Sequence, residues 1–308
     1  MQAFILEKTV LDWLLEGPAW LRFAVERQLL DKTPGSAAAL NDPAIQKLVV
    51  RLKSADAGLP ALKTGKVHYT EPGKAYWDLY LLADIGFSIH DLGLEDEAEQ
   101  IFRFQTADGA FVIPPNVKEN YLCMSAILLS SLARMGYRDD PRVIKFTRAI
   151  LSSQMPGGGW DCYGETIGVL ESCPMDNMNC LMVLGQYEEH LENPAFKGAI
   201  DILTEHFTMG EHLYGFGTGS RFRALQYPAV KYGILRVLDA LSLFPYAMKN
   251  PTFLNMLNFI RGKAKGGKYT PETTEPAYTG FDFAQTKEPS RWITFLVSRI
   301  EKRFEEQS

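Results

Sequence analysis

Residues 138–189 read RDDPRVIKFTRAILSSQMPGGGWDCYGETIGVLESCPMDNMNCLMVLGQYEE and hold one complete structural unit. Asp140 is a good helix N-cap, and Pro141 suits the first helical turn, where a missing N–H goes unnoticed. Val143, Ile144, Phe146, Ile150 and Leu151 recur near the helical period, with Arg142, Lys145 and Arg148 between them. An amphipathic helix with one wet face is expected over 140–153. Gln154 to Trp160, with glycines at 157–159, ends it in a turn. Ser172 and Pro174 then open a second helix that runs to about Glu189.

Upstream, residues 121–133 (YLCMSAILLSSLA) carry no charge. A helix that is neutral all round is buried on all sides. Each unit therefore pairs an outer amphipathic helix with an inner buried one. Asp-Pro or Asn-Pro pairs at 42, 140, 193 and 250 mark further outer helices. A second landmark runs out of phase with them: Gln105-x3-Gly109-x-Phe111, Gln154-x3-Gly158-x-Trp160 and Lys263-x3-Gly267-x-Tyr269. Self-similarity at about 50 residues describes an array of one supersecondary unit. Outer helices are expected near 42–53, 94–105, 140–153, 193–207 and 250–263. Inner ones are expected near 73–86, 118–136, 173–189, 226–243 and 288–304. Two helices, 4–15 and 18–31, precede the array. The expected fold is all-α, an α/α toroid of five to six helix pairs. Residues 1–40 form an N-terminal helical cap and 41–308 one continuous domain.

The chain has 308 residues, 46% hydrophobic and 22% charged, with a net charge of −5. That balance leaves no basic footprint for nucleic acid. No apolar run reaches the ~18 residues of a membrane span. Peripheral membrane contact stays compatible with this pattern. The N-terminal segment carries Glu7, Lys8 and Asp12 among its apolar residues and reads as a helix rather than a signal peptide. The expected location is cytoplasmic.

The Gln-x3-Gly-x-Trp element at Gln154, Gly158 and Trp160 resembles the QW motif of squalene–hopene cyclases, oxidosqualene cyclases and protein prenyltransferase β subunits. Gln105, Gly109 and Phe111 match with another aromatic; Lys263, Gly267 and Tyr269 are a weaker copy. Over roughly residues 40–304 the chain is similar to short, single-domain squalene-cyclase-like proteins of prokaryotes. Segments like Glu288–Thr294 and Met135–Pro141 recur in those proteins too. The resemblance implies a terpene-cyclase-type toroid and an apolar isoprenoid-like ligand, with no cofactor required for cyclisation. In full-length cyclases the proton donor is the middle Asp of an Asp-x-Asp-Asp motif, just after a GGW turn. The matching stretch here is Cys173-Pro-Met-Asp-Asn-Met-Asn-Cys180, where only Asp176 is acidic and Asn177 and Asn179 stand in the region of the other carboxylates.

Asp176 has two readings: a catalytic acid in an apolar cavity, or a carboxylate favoured by its helix N-terminus. The five histidines, His68, His90, His190, His206 and His212, lie away from the starts of the inner helices, which argues against the zinc-dependent prenyltransferases. Cys123, Cys162, Cys173 and Cys180 come to one end of the expected toroid in adjacent units. Four thiolates are a ligand set for zinc or an iron–sulfur cluster; four small buried side chains are the alternative. Trp77, Tyr80, Tyr121, Tyr227, Tyr232 and Trp292 fall on expected inner helices. Their rings either line a substrate cavity and steer a carbocation or simply fill the core. Two functions follow from these alternatives. One is a class II terpene-cyclase-like enzyme that protonates and cyclises a polyprenyl substrate. The other is a catalytically silent binding or scaffold protein of the same fold, with or without a cysteine-based metal site.

Overall fold

Each Asp-Pro or Asn-Pro pair opens a helix, and each Asx side chain caps it. Asp42 accepts from Ala44 N at 2.9 Å, Asp140 from Arg142 N at 2.8 Å, Asn193 from Ala195 N at 3.0 Å and Asn250 from Thr252 N at 2.8 Å. The adjacent proline fills a position whose N–H would lack an intrahelical acceptor.

The computed structural model describes residues 6–116, 121–162, 171–209, 219–228 and 232–307. The helices of eight residues or more among them are α1 (Lys8–Leu15), α2 (Ala19–Gln28), α3 (Pro43–Leu52), α4 (Ala75–Ile85), α5 (Glu95–Phe102), α6 (Leu122–Leu132), α7 (Pro141–Ser152), α8 (Pro174–Leu184), α9 (Lys197–Glu205), α10 (Ile234–Leu241), α11 (Pro251–Arg261) and α12 (Arg291–Gln307). Among the described residues there are isolated bridges but no strand, so the fold is all-α. No described helix is long and apolar enough to cross a membrane. The helix starts expected at 4 and 118, and residues 229–231 of the expected 226–243 helix, lie outside the described residues.

The chain divides into two compact units, Ile45–Ala199 and Met1–Ala44 with Ile200–Ser308. In the first, α6 packs against both α4 and α8, and every residue of these three helices is buried. Their neighbours are amphipathic. α7 buries Val143, Phe146, Thr147 and Ile150 while Lys145 and Arg148 stay exposed. The neutral segment is therefore inside and the charged one outside, as their composition predicts. Two of the carboxylates in this buried layer lie on α4 and are paired. Arg51 grips Asp78 through two nitrogens, and Arg134 Nη1 lies 2.7 Å from Asp84 Oδ1. A buried charge without such a partner would be strongly disfavoured.

In the second unit α10 is fully buried and packs on α12, which also contacts α1 and α2. Asp239 of α10 takes Arg299 at 2.8 Å and Arg303 at 3.0 Å, both from α12. The expected 226–243 helix is shorter than its sequence suggests. Tyr227 and Tyr232 precede it, because Pro228 disfavours a helical Tyr227 and Gly233, in extended conformation, is the N-cap of α10. Tyr121 likewise caps α6 rather than lying within it.

The Gln-x3-Gly-x-aromatic elements join consecutive outer helices. Gln105 donates to Arg142 O at 2.8 Å, and Gln154 to Ala195 O at 2.7 Å. Both acceptors sit two residues after a capping Asx. Gly109 has φ +99°, and a Cβ there would lie 2.8 Å from Lys145 O, so this turn needs glycine. Trp160 is wholly buried, packs on Phe196 at 5.8 Å and donates its indole N–H to Ile150 O at 2.8 Å. In the third copy Lys263 replaces Gln and pairs with Glu272 at 2.6 Å. These contacts differ in burial, so their deletions should differ in effect. Trp160→Ala is expected to lose about 3–5 kcal/mol. Gln154→Ala, whose bond is exposed, should lose about 1 kcal/mol or less. Urea unfolding of the two variants checks the ordering, and equal losses would contradict it.

Candidate active site

The site is assembled by the first turn of α8. Pro174 occupies the first helical position after Cys173, which leaves Asp176 and Asn177 facing the incoming chain. Asn177 Oδ1 accepts Trp160 N at 2.7 Å, and Asp176 Oδ2 accepts Cys162 N at 2.9 Å. Cys173 N donates to Trp160 O at 2.8 Å. Two adjacent side chains thus hold alternate amides of residues 160–162, and the Cys162 thiol is carried to the Asp176 carboxyl. Gly159 makes the approach possible. Its φ is +83°, and a Cβ would lie 2.5 Å from Ser172 Oγ and 2.7 Å from Asn177 Oδ1. Asn177 also donates to Ser172 Oγ at 2.9 Å, while Asn179 reaches Cys123 O at 3.4 Å and ties α8 to the start of α6.

The result is a cluster of three reactive groups. The sulfurs of Cys123 and Cys162 and a carboxylate oxygen of Asp176 all lie within 4.8 Å of one another. Asp176 is completely buried, and among the described residues its Oδ1 has no hydrogen-bond partner. Burial pushes its carboxyl up to about 7, against the opposing pull of the Cys162 thiol and amide. The Cys162 thiol is pushed far up, first by its hydrogen bond with Cys123, then by burial and by Asp176. Burial, with Asp176 second, also raises Cys173 and Cys180. Both stand outside the cluster. Of the four cysteines read from the sequence, the fold brings two together with Asp176.

Two tyrosines border this cluster. Tyr69 hydrogen-bonds Cys123, and burial together with that thiol raises its phenol. The indole of Trp77 donates to Tyr69 O and fixes this loop. The Tyr76 hydroxyl is buried without a hydrogen-bond partner among the described residues, and burial, with Cys123 second, raises its phenol. Neither tyrosine stood out in the sequence. Tyr69 sits in an irregular segment, and Tyr76 sits on a helix buried on every side, where no face is distinguished. Trp77 packs on Tyr80 at 5.4 Å, and Tyr80 faces Arg134 at 4.8 Å.

Tyr121 is half-buried at the N-cap of α6 in the same unit, whereas Tyr227, Tyr232 and Trp292 belong to the second unit. Tyr227 meets Trp292 edge-on at 5.5 Å, and Trp292 meets Trp20 at 5.4 Å. The Trp292 indole N–H is buried without a partner among the described residues. Tyr232 packs separately, on His206 at 4.8 Å and Phe222 at 5.3 Å.

No protein-family model matches the chain, and no curated protein matches it. Among solved structures it is similar to a protein from Actinoplanes, with 12% identity, a TM-score of 0.42, and coverage of 94% of this chain and 89% of that one. It is also similar to the type II terpene cyclase MstE from Scytonema in its apo form, with 10% identity, a TM-score of 0.39, and coverage of 96% and 98%. A variant of that cyclase in complex with its substrate, geranylgeranyl dihydroxybenzoate, gives 11% identity, a TM-score of 0.39, and coverage of 98% and 99%.

The buried carboxyl links stability to pH. Its folded-state value of about 7 exceeds the ordinary 3.8, so the folded chain holds this proton more tightly than the unfolded one. The contribution is complete below the ordinary carboxylate range and is lost as pH rises toward about 7, by roughly 1.4 kcal/mol per unit. Asp176→Asn is isosteric and uncharged. In chelator-treated protein it should be the more stable form near pH 8, with the difference shrinking toward pH 5. Urea unfolding across that range checks the sign, and a constant difference would place Asp176 in water.

Proposed function

We propose that this chain is an isoprenoid-processing enzyme of the class II terpene-cyclase type, in which Asp176 protonates an alkene of an apolar polyprenyl substrate. The observation that carries this reading is the Asp176 carboxyl itself. It is completely buried at the start of a helix with no other charge, and one of its oxygens has no partner among the described residues. Desolvation favours the neutral acid, and a neutral acid with an unengaged oxygen can give its proton to a weak base such as an alkene.

The proton leaves Asp176 for the less substituted alkene carbon, and the π pair forms the new C–H bond. The carbocation develops on the more substituted carbon and is attacked by the next double bond of the chain. The carboxylate left behind is held by the Cys162 amide at 2.9 Å. Trp77 and Tyr121 offer ring faces on the same unit, and cation–π attraction to such rings is worth about 0.5–2 kcal/mol each. Loss of a neighbouring proton or capture of water ends the reaction, and solvent returns a proton to Asp176. No redox step occurs and no redox cofactor is needed. Tyr227, Tyr232 and Trp292 belong to the other unit and are not assigned to this centre.

Farnesyl-, geranylgeranyl- and squalene-length substrates incubated in deuterated water provide the test. The wild type should give a cyclic isomer or hydrate carrying one deuterium at the protonated carbon. Asp176→Asn should keep the fold and lose turnover by about 100-fold to 10,000-fold, since an amide cannot donate the proton. Full activity in that variant would falsify the assignment, and an inert wild type across the panel favours a binding protein.

A further inference from the structure

Besides its proton, the Asp176 cluster has the makings of a cation site. The geometry points to a single thiophilic divalent ion, zinc by chemistry, held by Cys123 Sγ, Cys162 Sγ and the Asp176 carboxylate with a fourth position open. Three observations carry it. The three donor atoms lie within 4.8 Å of one another. In a tetrahedral zinc site with Zn–S near 2.3 Å and Zn–O near 2.0 Å, donors stand about 3.5–3.8 Å apart. Closing onto an ion therefore asks for about 1 Å of contraction at most. Asp176 Oδ1 is a fully buried acceptor with no partner among the described residues, while Oδ2 is already engaged by the Cys162 amide. That division is what a metal-bound carboxylate needs: one oxygen for the ion, the other fixed by a backbone donor that sets its orientation. Finally, Cys162 lies outside regular structure on the segment following Trp160, and it is the one cysteine of the four that is not buried. Cys162 is thus the donor of the three that is held by no regular element among the described residues.

The donor set selects the ion. Two sulfurs and one carboxylate suit a borderline-soft cation and not magnesium or calcium, which take oxygen shells. Two thiolates are too few for an iron–sulfur cluster, which uses four. Three donors that are anionic when they bind repel one another at this spacing, and a cation between them offsets that repulsion. Binding is an exchange in which the ion enters, each thiol releases its proton, and Asp176 releases its own if it holds one. Two sulfur–metal bonds and one oxygen–metal bond replace them, with no electron transferred. Ion and proton compete for the same carboxyl. Where the cyclase reading holds, the metal-loaded chain is its silent form.

Cobalt(II) and zinc(II), added to the chelator-stripped full chain, test this. One equivalent of cobalt should produce thiolate-to-metal charge transfer and tetrahedral visible bands, and one equivalent of zinc should abolish them. Affinity should rise about 100-fold per pH unit while two thiol protons are displaced. Cys162→Ser and Asp176→Asn should each weaken zinc binding by at least 10-fold, whereas Cys180→Ser, outside the cluster, should bind as the wild type does. Should Cys123→Ser fail to fold, Cys162→Ser alone decides the thiol contribution. An unchanged spectrum in Cys162→Ser, or no stoichiometric ion at any pH, overturns the site. These readouts are independent of turnover, so an inactive wild type leaves them intact. Where turnover exists, its loss on zinc loading and return on chelation are expected, and full activity in the loaded chain removes Asp176 from the ligand set.

Discussion

Two hydrogen bonds from the first turn of α8 organise everything chemical in the Ile45–Ala199 unit. Asn177 takes the Trp160 amide and Asp176 takes the Cys162 amide, at 2.7 Å and 2.9 Å. Side-chain acceptors at a helix N-terminus ordinarily serve the orphan donors of their own helix. Here they serve the amides of an incoming segment instead. The same pair of bonds seats Trp160 against Phe196 and delivers the Cys162 sulfur to Asp176. Packing and chemistry are coupled through one turn, and Gly159 is the hinge on which that turn depends.

The architecture was legible because its signals are local and repeated. Capping Asx-Pro pairs need only a helix start, and all four provide one. The contrast between neutral 121–133 and charged 140–153 maps directly onto burial. The tyrosines at 227 and 232 were misplaced because aromatic spacing continued the helical pattern, while Pro228 and Gly233 delay the helix to Ile234. In the site, Asp176, Cys123 and Cys162 could be nominated from topology. The full set of four thiols could not be judged that way. A seven-residue interval puts Cys173 and Cys180 on one face of a helix, yet at 1.5 Å per residue it separates them by about 10 Å along the axis. A shared face is a weaker condition than a shared point. Tyr69 and Tyr76 left no trace, since one lies in a loop without periodicity and the other on a helix that is buried all round.

The buried layers handle charge in two ways. Asp78, Asp84 and Asp239 are each answered by arginine, from Arg51, Arg134 and the Arg299–Arg303 pair. Such pairs compensate the desolvation of both partners. Asp176 is treated differently. It is as deeply buried as Asp78, but its neighbours are the Cys162 thiol and amide, the Cys123 amide, the Tyr69 phenol and Asp161. Among the described residues no cation answers it, and burial favours the neutral acid.

That exception separates function from stability in this fold. A helix start that needed only a carboxylate for its macrodipole would be served by an exposed Asp, at a gain of about 0.3–1 kcal/mol. Burying the group fully forfeits more than that, on the order of 1.4 kcal/mol for each unit its proton affinity rises. Asn at position 176 would keep the bond to the Cys162 amide without the penalty. A carboxyl standing where the amide would stabilise the chain better fits the proposed roles, because an amide can neither release a proton nor bind a metal ion as an anion.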